Sequence, residues 1–435
     1  MIEAKCIDHG TILLLLAAEG ETVAQTRPTI LQIIPSLDTG GAELSLVEIA
    51  EAVVRAGGRA LALAEPGGRL APRVTATGAE LVPFPAAAKN PLTMLANARA
   101  IARLVREQGV DLSHARSRAP AWSALLAARR THVPFVTTYH GAYGETNAAK
   151  RFYNGVMARG DVVIANSVYT ADLIAQRYGT SRQRIAVIHR GVDTHAFDPA
   201  RIAPERLAAL RAHWGVDEPA RVILQAARLT GWKGQSVLID AAARLKAAGK
   251  LEGAVVVLAG DAQGRDAYVL GLHAQVVQAG LAPHVRFVGH VEDIAAAYLA
   301  AHVTVVASTQ PEAFGRAAIE AAAMGSPVIA TAIGAPPETV LAQPAVAADA
   351  TTGWLVPPGD AGALAERLAG ALALTGAERS AIAQRARAHV LAQFTVESMQ
   401  LRTLAVYDRL LGTVLERRFR EAPTPRAVDV SPRKS

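Results

Sequence analysis

From residue 29 onward, short β-branched runs alternate with Ala-rich stretches of helical character, the pattern of a parallel sheet covered by helices. Runs at 29–34, 60–63, 80–82, 112–114, 135–138, 162–165 and 185–188 predict a first series of strands. After His189 the alternation breaks. Residues 190–218, with Gly191, Pro199 and Pro204 and bounded by Pro219, read as a linker carrying one short helix around 205–213. A second series follows at 221–225, 254–258, 285–288, 303–307, 327–330 and 354–356. The expected fold class is therefore α/β, with two Rossmann-like domains whose parallel sheets face each other across a cleft. The boundaries are 28–199 for the first domain and 200–395 for the second, with a helix over 396–415 packing back on the first. Ligands of open parallel sheets bind at the carboxyl ends of the strands, so the cleft is where chemistry is expected.

Composition agrees with two large cores: the 435 residues are 51% hydrophobic and 19% charged. The single cysteine, Cys6, excludes disulfide frameworks and Cys-rich metal or iron–sulfur sites and points to a reducing, cytoplasmic setting. The net charge of +7 is uneven, with +6 in residues 28–199, zero in 200–415 and +3 in 416–435. Such asymmetry favours an anionic partner: nucleic acid, a phosphorylated glycan or an anionic lipid surface. Residues 1–27 hold one apolar run, 11–18, less than half of the ~20 residues a spanning helix needs. Glu3 and Asp8 also spoil a signal peptide's basic start, so the segment is read as a disordered leader. The stretch 416–435, with Pro423, Pro425 and Pro432 among arginines, is read as a disordered basic tail.

Several chemistries lack their motifs. There is no G-x-G-x-x-G after the first run, no P-loop, no H-E-x-x-H and no G-x-S-x-G. Nowhere are two aspartates separated by one residue, so nothing in the sequence calls for a divalent metal.

One segment is richer. After the run ending near Ala307, a polar turn precedes a helix of about ten residues that ends at Met324, Gly325 and Pro327. The N-terminus of that helix faces the cleft with unpaired N–H groups, a setting that attracts phosphate. Glu320 lies inside it, where a carboxylate accepts from vicinal hydroxyls such as those of a ribose, and Glu312 lies just before it, where it accepts from a sugar. The plainer alternative is two surface glutamates on an amphipathic helix.

Glu312 and Glu320, separated by seven residues with Phe314 and Gly315 among them and Gly325, Pro327 and Thr331 behind, make this segment resemble the signature of glycosyltransferase family 4. Those are retaining sugar-nucleotide transferases of the GT-B fold. Ala313, commonly Pro there, and Arg316, commonly aliphatic, depart from the pattern but leave its charged groups in place. The resemblance extends over nearly all of 28–415. Gly40 and Gly41 resemble the glycine loop that lets a helix N-terminus approach the donor diphosphate. Arg228 and Lys233 look like the pair of cations that stabilises the leaving diphosphate; lysine is scarce here, seven residues in all. His140, before Gly141, resembles the histidine beside the anomeric centre, and Asn166 ends the next strand run. Gly289 and His290 resemble the loop that grips the nucleobase through backbone groups. Gly334 to Glu338 reads Gly-Ala-Pro-Pro-Glu where the family usually shows two glycines before Pro-Glu.

The resemblance implies a retaining, metal-independent transferase that moves a hexose-type sugar from a nucleoside diphosphate to a hydroxyl acceptor. His140, Arg228, Lys233 and Glu312 would carry the chemistry. Gly40, Gly41, Asn166, Gly289, His290, Phe314, Gly315 and Glu320 would hold the nucleotide sugar. No cofactor is expected beyond that co-substrate. The acceptor is expected to be a glycan or lipid-linked molecule of bacterial surface-polysaccharide assembly, not a nucleic acid, met by peripheral contact at the inner membrane face. Asp38 and Glu145 stand as alternative bases. Two other classes fit the fold: a sugar-nucleotide epimerase and a non-catalytic binding subunit.

Overall fold

The computed structural model describes residues 27–38 and 40–423. The expected leader, Cys6 included, lies outside the described residues except for Arg27, and so does the tail beyond Pro423. Strands β1 (Thr29–Ile33), β2 (Arg59–Ala64), β3 (Glu80–Pro83), β4 (Leu112–Ala115), β5 (Phe135–Tyr139), β6 (Val162–Ala165) and β7 (Ile185–Val187) pair in parallel, in the order β3-β2-β1-β4-β5-β6-β7. A second parallel sheet holds β8 (Arg221–Ala226), β9 (Ala254–Ala259), β10 (Val285–Gly289), β11 (Ala301–Val306), β12 (Val328–Thr331) and β13 (Gly353–Val356), in the order β10-β9-β8-β11-β12-β13. Every predicted run is a strand. All five positions of β1 are buried, because helices cover both faces of the sheet. Each sheet reverses its strand order once, between β1 and β4 and between β8 and β11, and such switch points open a crevice at the strand ends.

The chain passes between the two sheets twice, at 190–192 and 394–396. The Val192 N–H donates to the Phe394 carbonyl at 2.8 Å and the Val396 N–H to the Val192 carbonyl at 3.0 Å. A Cβ on Gly191 would lie 2.2 Å from the Val396 nitrogen, so only glycine lets the two passages touch. Beyond this crossing the Val396–Leu411 helix rests on the first domain. Met399, Leu404, Val406 and Tyr407 share a core with Ile30, Leu46, Val53 and Val136.

The expectation of disorder from Glu416 onward fails for its first residues. Leu415–Glu421 is a helix, and Leu415 and Phe419, one turn apart, are fully buried in that same core. Asp408 caps its start, its carboxylate oxygens accepting from the Leu415 and Glu416 N–H groups at 2.7 and 2.8 Å. Arg55 lies 4.1 Å over the Phe419 ring. Two apolar residues at helical spacing outweigh the arginines around them.

The first domain's basic residues are not one surface. Arg99, Arg103 and Arg106 are exposed on the Pro91–Glu107 helix. Arg116, by contrast, is buried, and Arg118 donates to Asn154 Oδ1 at 2.8 Å and stacks on Tyr143. Among the described residues, no helix is long and apolar enough to cross a membrane.

Candidate active site

Two adjoining cavities, of about 580 and 540 Å³, lie between the strand ends of the two sheets. That is the size range of small-molecule sites. Two helices aim their N-termini at both cavities. The Gly41–Arg55 helix begins after the Gly40 cap, and the Arg316–Ala323 helix begins after Gly315, whose φ of +83° only glycine adopts without strain. Their unpaired N–H groups and dipoles make the region between them favourable for an anion.

Arg228 and Lys233 enter from the loop after β8. The Gly231–Lys233 turn ends at Gly234, with φ +73°, where a Cβ would fall 1.9 Å from the Ala307 carbonyl oxygen. Gln225 Nε2, on β8, also donates to the Lys233 carbonyl at 2.7 Å, so the loop is held against the ends of both β8 and β11. Lys233 Nζ pairs with Glu312 Oε1, sits 4.2 Å over the Trp232 ring and is largely buried. Ser308 Oγ donates to the same carboxylate oxygen at 2.5 Å. Expected apart, one on the diphosphate and one on the sugar, Lys233 and Glu312 thus form one buried pair. Arg228 is exposed and, among the described residues, makes no ion pair within 4.0 Å.

Glu312 is fixed by its backbone. It bridges Gly334, and its carbonyl accepts from the Ala335 N–H at 2.9 Å. A Cβ on Gly334, at φ +83°, would lie 2.2 Å from that carbonyl oxygen. The single glycine that this chain retains in its Gly-Ala-Pro-Pro-Glu run is therefore the one that seats Glu312.

Glu320 lines the larger cavity but does not stand alone. Its Oε1 accepts from Arg316 Nε at 3.1 Å, and Oε2 accepts from the Tyr298 hydroxyl at 3.4 Å. Arg316 Nη1 also reaches Glu48 Oε1 of the first domain at 3.5 Å. Arg316, read from the sequence as a departure that leaves the charged groups in place, thus forms buried ion pairs that tie the suspected ribose carboxylate to the opposite domain. Burial pushes the Glu48 carboxyl above the ordinary carboxylate range, against the pull of Arg316 and Arg190.

His140 and Asn166 line the smaller cavity. Arg190 Nη2 donates to His140 Nδ1, which leaves the ring proton on Nε2, an atom with no partner among the described residues. Burial, Arg190 and Arg116 hold His140 well below the ordinary histidine range, so it is neutral. Asn166 is 3% exposed and its Oδ1 is also unpartnered. Both residues line the smaller cavity, and a neutral imidazole and an amide suit sugar hydroxyls.

Other expected residues contribute less directly. His290 lines the larger cavity, its Nδ1 3.6 Å from Asp261, whereas Gly289 does not and spends its carbonyl on the Gly260 N–H at 2.7 Å. Phe314 is buried, its ring between His189 and Phe394, so its backbone faces the cleft. Neither alternative base lines either of these two cavities, and Glu145 instead accepts from the Tyr178 hydroxyl.

Arg190 and Glu338 were not singled out as functional from the sequence. Glu338 accepts from the Val168 and Tyr169 N–H groups, both at 2.8 Å, and from His189 Nε2 at 3.0 Å. A second-domain carboxylate thereby caps the Val168–Tyr178 helix of the first domain. Burial alone would raise its pKa, but the hydrogen bonds from His189, Tyr169 and Val168 hold it below the ordinary range. The only advance signal was the Pro-Glu that ends the run.

The comparisons with known proteins bear on the same span. The family model described as Glycosyltransferase Family 4 matches residues 39–196, and that described as Glycosyl transferases group 1 matches 208–389. The D-inositol 3-phosphate glycosyltransferase of Mycobacterium tuberculosis is 30% identical over 403 residues, covering 86% of this chain and 80% of that protein. A glycosyltransferase from Rickettsia africae superposes with a TM-score of 0.80 at 32% identity, over 89% of this chain and 100% of the other. HepE from Anabaena, solved in complex with UDP-glucose, gives a TM-score of 0.75 at 27% identity, over 88% and 99%.

Proposed function

The chain belongs to the group 1 glycosyltransferases of family 4, with the GT-B fold, and we propose that it moves a hexose-type sugar, with retention, from a nucleoside diphosphate to a hydroxyl acceptor without a metal ion. The observation that carries this reading is the convergence of two helix N-termini, Arg228 and Lys233 on adjoining cavities that also hold His140, Glu312 and Glu320. The nucleotide fills the larger cavity, with its ribose on Glu320. Its diphosphate lies between the helix N-termini, where fixed positive charge stabilises the negative charge that grows as the glycosidic bond breaks. The sugar extends towards His140, Asn166 and Glu312. That HepE was crystallised with UDP-glucose supports a donor of this class.

Retention follows a front-face route. The departing phosphate oxygen takes the proton of the acceptor hydroxyl as the hydroxyl attacks the anomeric carbon from the side the phosphate leaves. Glu312, paired with Lys233 and accepting from Ser308, orients the sugar. The relatives named for inositol phosphate transfer, together with the basic first domain, support an anionic acceptor that is phosphorylated or lipid-linked. The enzyme then works as a peripheral protein at an anionic membrane surface.

A panel of nucleoside-diphosphate sugars, assayed for nucleotide release with and without lipid-linked acceptor extracts, tests this reading. One donor should give nucleotide release that acceptor stimulates, with the sugar on the acceptor. Release of an epimerised or free sugar regardless of acceptor assigns the chain to the isomerase class instead.

A further inference from the structure

Arg116 and Arg190 are 3% and 5% exposed, and among the described residues neither makes an ion pair within 4.0 Å. Their partners are neutral. Arg116 donates from Nε to Gln32 Oε1 at 2.7 Å and from Nη1 to Ser45 Oγ at 3.0 Å, while its buried Nη2 has no partner. Arg190 donates to His140. The nearby carboxylate, Glu48, is paired with Arg316 and acts on Arg116 and Arg190 only through space, with no hydrogen bond to either among the described residues. Burial and the charge of Arg116 press the Arg190 pKa down to about 9, which still leaves Arg190 charged at neutral pH. Buried cations are ordinarily paired directly with a counter-charge, and here two lie together with only the through-space field of a carboxylate already paired with a third cation.

Both arginines line a small cavity of about 10 Å³, together with Ser45, His114, Thr138 and Thr403. The rest of its polar lining is committed. The Ser45 hydroxyl donates to the Ala42 carbonyl and the Thr403 hydroxyl to the Met399 carbonyl. His114 is bonded at both nitrogens, to Tyr407 at 2.6 Å and Thr138 at 2.7 Å, and burial with the two guanidiniums keeps it neutral. The donors that remain unspent belong to the cations. The space suits a particle about the size of one water, far too small for a phosphate or a carboxylate-bearing metabolite. Arg190 extends from this cavity to the smaller cavity of the cleft.

We propose that this cavity binds one halide-sized monovalent anion, chloride in the cell, between Nη2 of Arg116 and the guanidinium of Arg190. The anion supplies the direct counter-charge that Glu48, already paired with Arg316, does not, and fixes Arg190, and through it His140, beside the sugar subsite.

Crystals of the full chain grown in bromide should show an anomalous difference peak in this cavity. Thermal unfolding at constant ionic strength should respond in parallel. The Tm should rise by roughly 2 °C for each tenfold increase in chloride or bromide above the Kd, and should not respond to gluconate, which is too large to enter. In Arg116→Met the halide-dependent rise should disappear; if that variant does not fold, the wild-type bromide peak and anion series decide alone. A cavity holding water with no anomalous signal, or equal stabilisation by gluconate and halide, overturns the proposal.

Discussion

Lys233 and Glu312 form a buried pair, so removing either leaves the other charge without its partner. Lys233→Ala should lower kcat by on the order of 10²-fold or more, because the ammonium matters most as the diphosphate departs. Arg228→Ala, which removes an exposed cation without an ion pair among the described residues, should lower kcat comparably with less effect on stability. Glu320→Ala should act mainly through donor KM, since a ribose contact is similar in ground and transition states. Measuring kcat and donor KM for the three variants checks this, and an unchanged kcat in Lys233→Ala would remove the role assigned to it. Arg316→Leu frees Glu320 from its guanidinium and cuts the link to Glu48, and a change in donor KM with kcat largely kept is expected. The charged groups of the site were legible because Glu312, Glu320, Arg228 and Lys233 stand at fixed spacings in short segments. Arg316 was legible only as a departure. Its partner Glu48 lies 268 positions away, and no local pattern announces a contact that the fold alone brings together.

Between elements, Glu338 is the most exposed to test. It holds the first turn of the Val168–Tyr178 helix across the domain boundary, and charge-assisted bonds at a helix N-terminus contribute about 1–2 kcal/mol. Its pKa is depressed in the folded protein, so the ionised form stabilises the contact above the unfolded carboxylate pKa of about 4.3, and that stability is lost as pH falls through the lower folded value. Acid unfolding monitored calorimetrically should therefore show a pH dependence in this window that Glu338→Gln reduces; a variant with the wild-type profile would assign the contact no such weight. The strands were legible throughout, since parallel-sheet strands are compact apolar runs with clear boundaries. The Leu415–Glu421 helix was not. Its two buried residues, Leu415 and Phe419, are outnumbered by charged neighbours, and the core that receives them draws, beyond the preceding helix, on residues such as Ile30, Leu46 and Val53 far earlier in the chain.

At the scale of the whole molecule, the basic first domain and the single carboxylate set against three arginines on the Pro91–Glu107 helix favour an anionic surface. Arg99, Arg103 and Arg106 are exposed there beside Leu92 and Leu95, with Glu107 pairing only Arg103. Basic side chains at such a surface contribute roughly 1 kcal/mol each and are screened by salt. Sedimentation with anionic vesicles should show binding that weakens steeply from low to high salt, and equal recovery with neutral vesicles would reduce this face to solubilising charge. The account as a whole rests on fixed protein charges and helix N-termini stabilising the leaving diphosphate where other transferases use a divalent ion. Turnover of the matched donor and acceptor in excess EDTA measures that claim most directly. Activity should persist at the level seen without chelator, and complete loss restored by magnesium or manganese would contradict it.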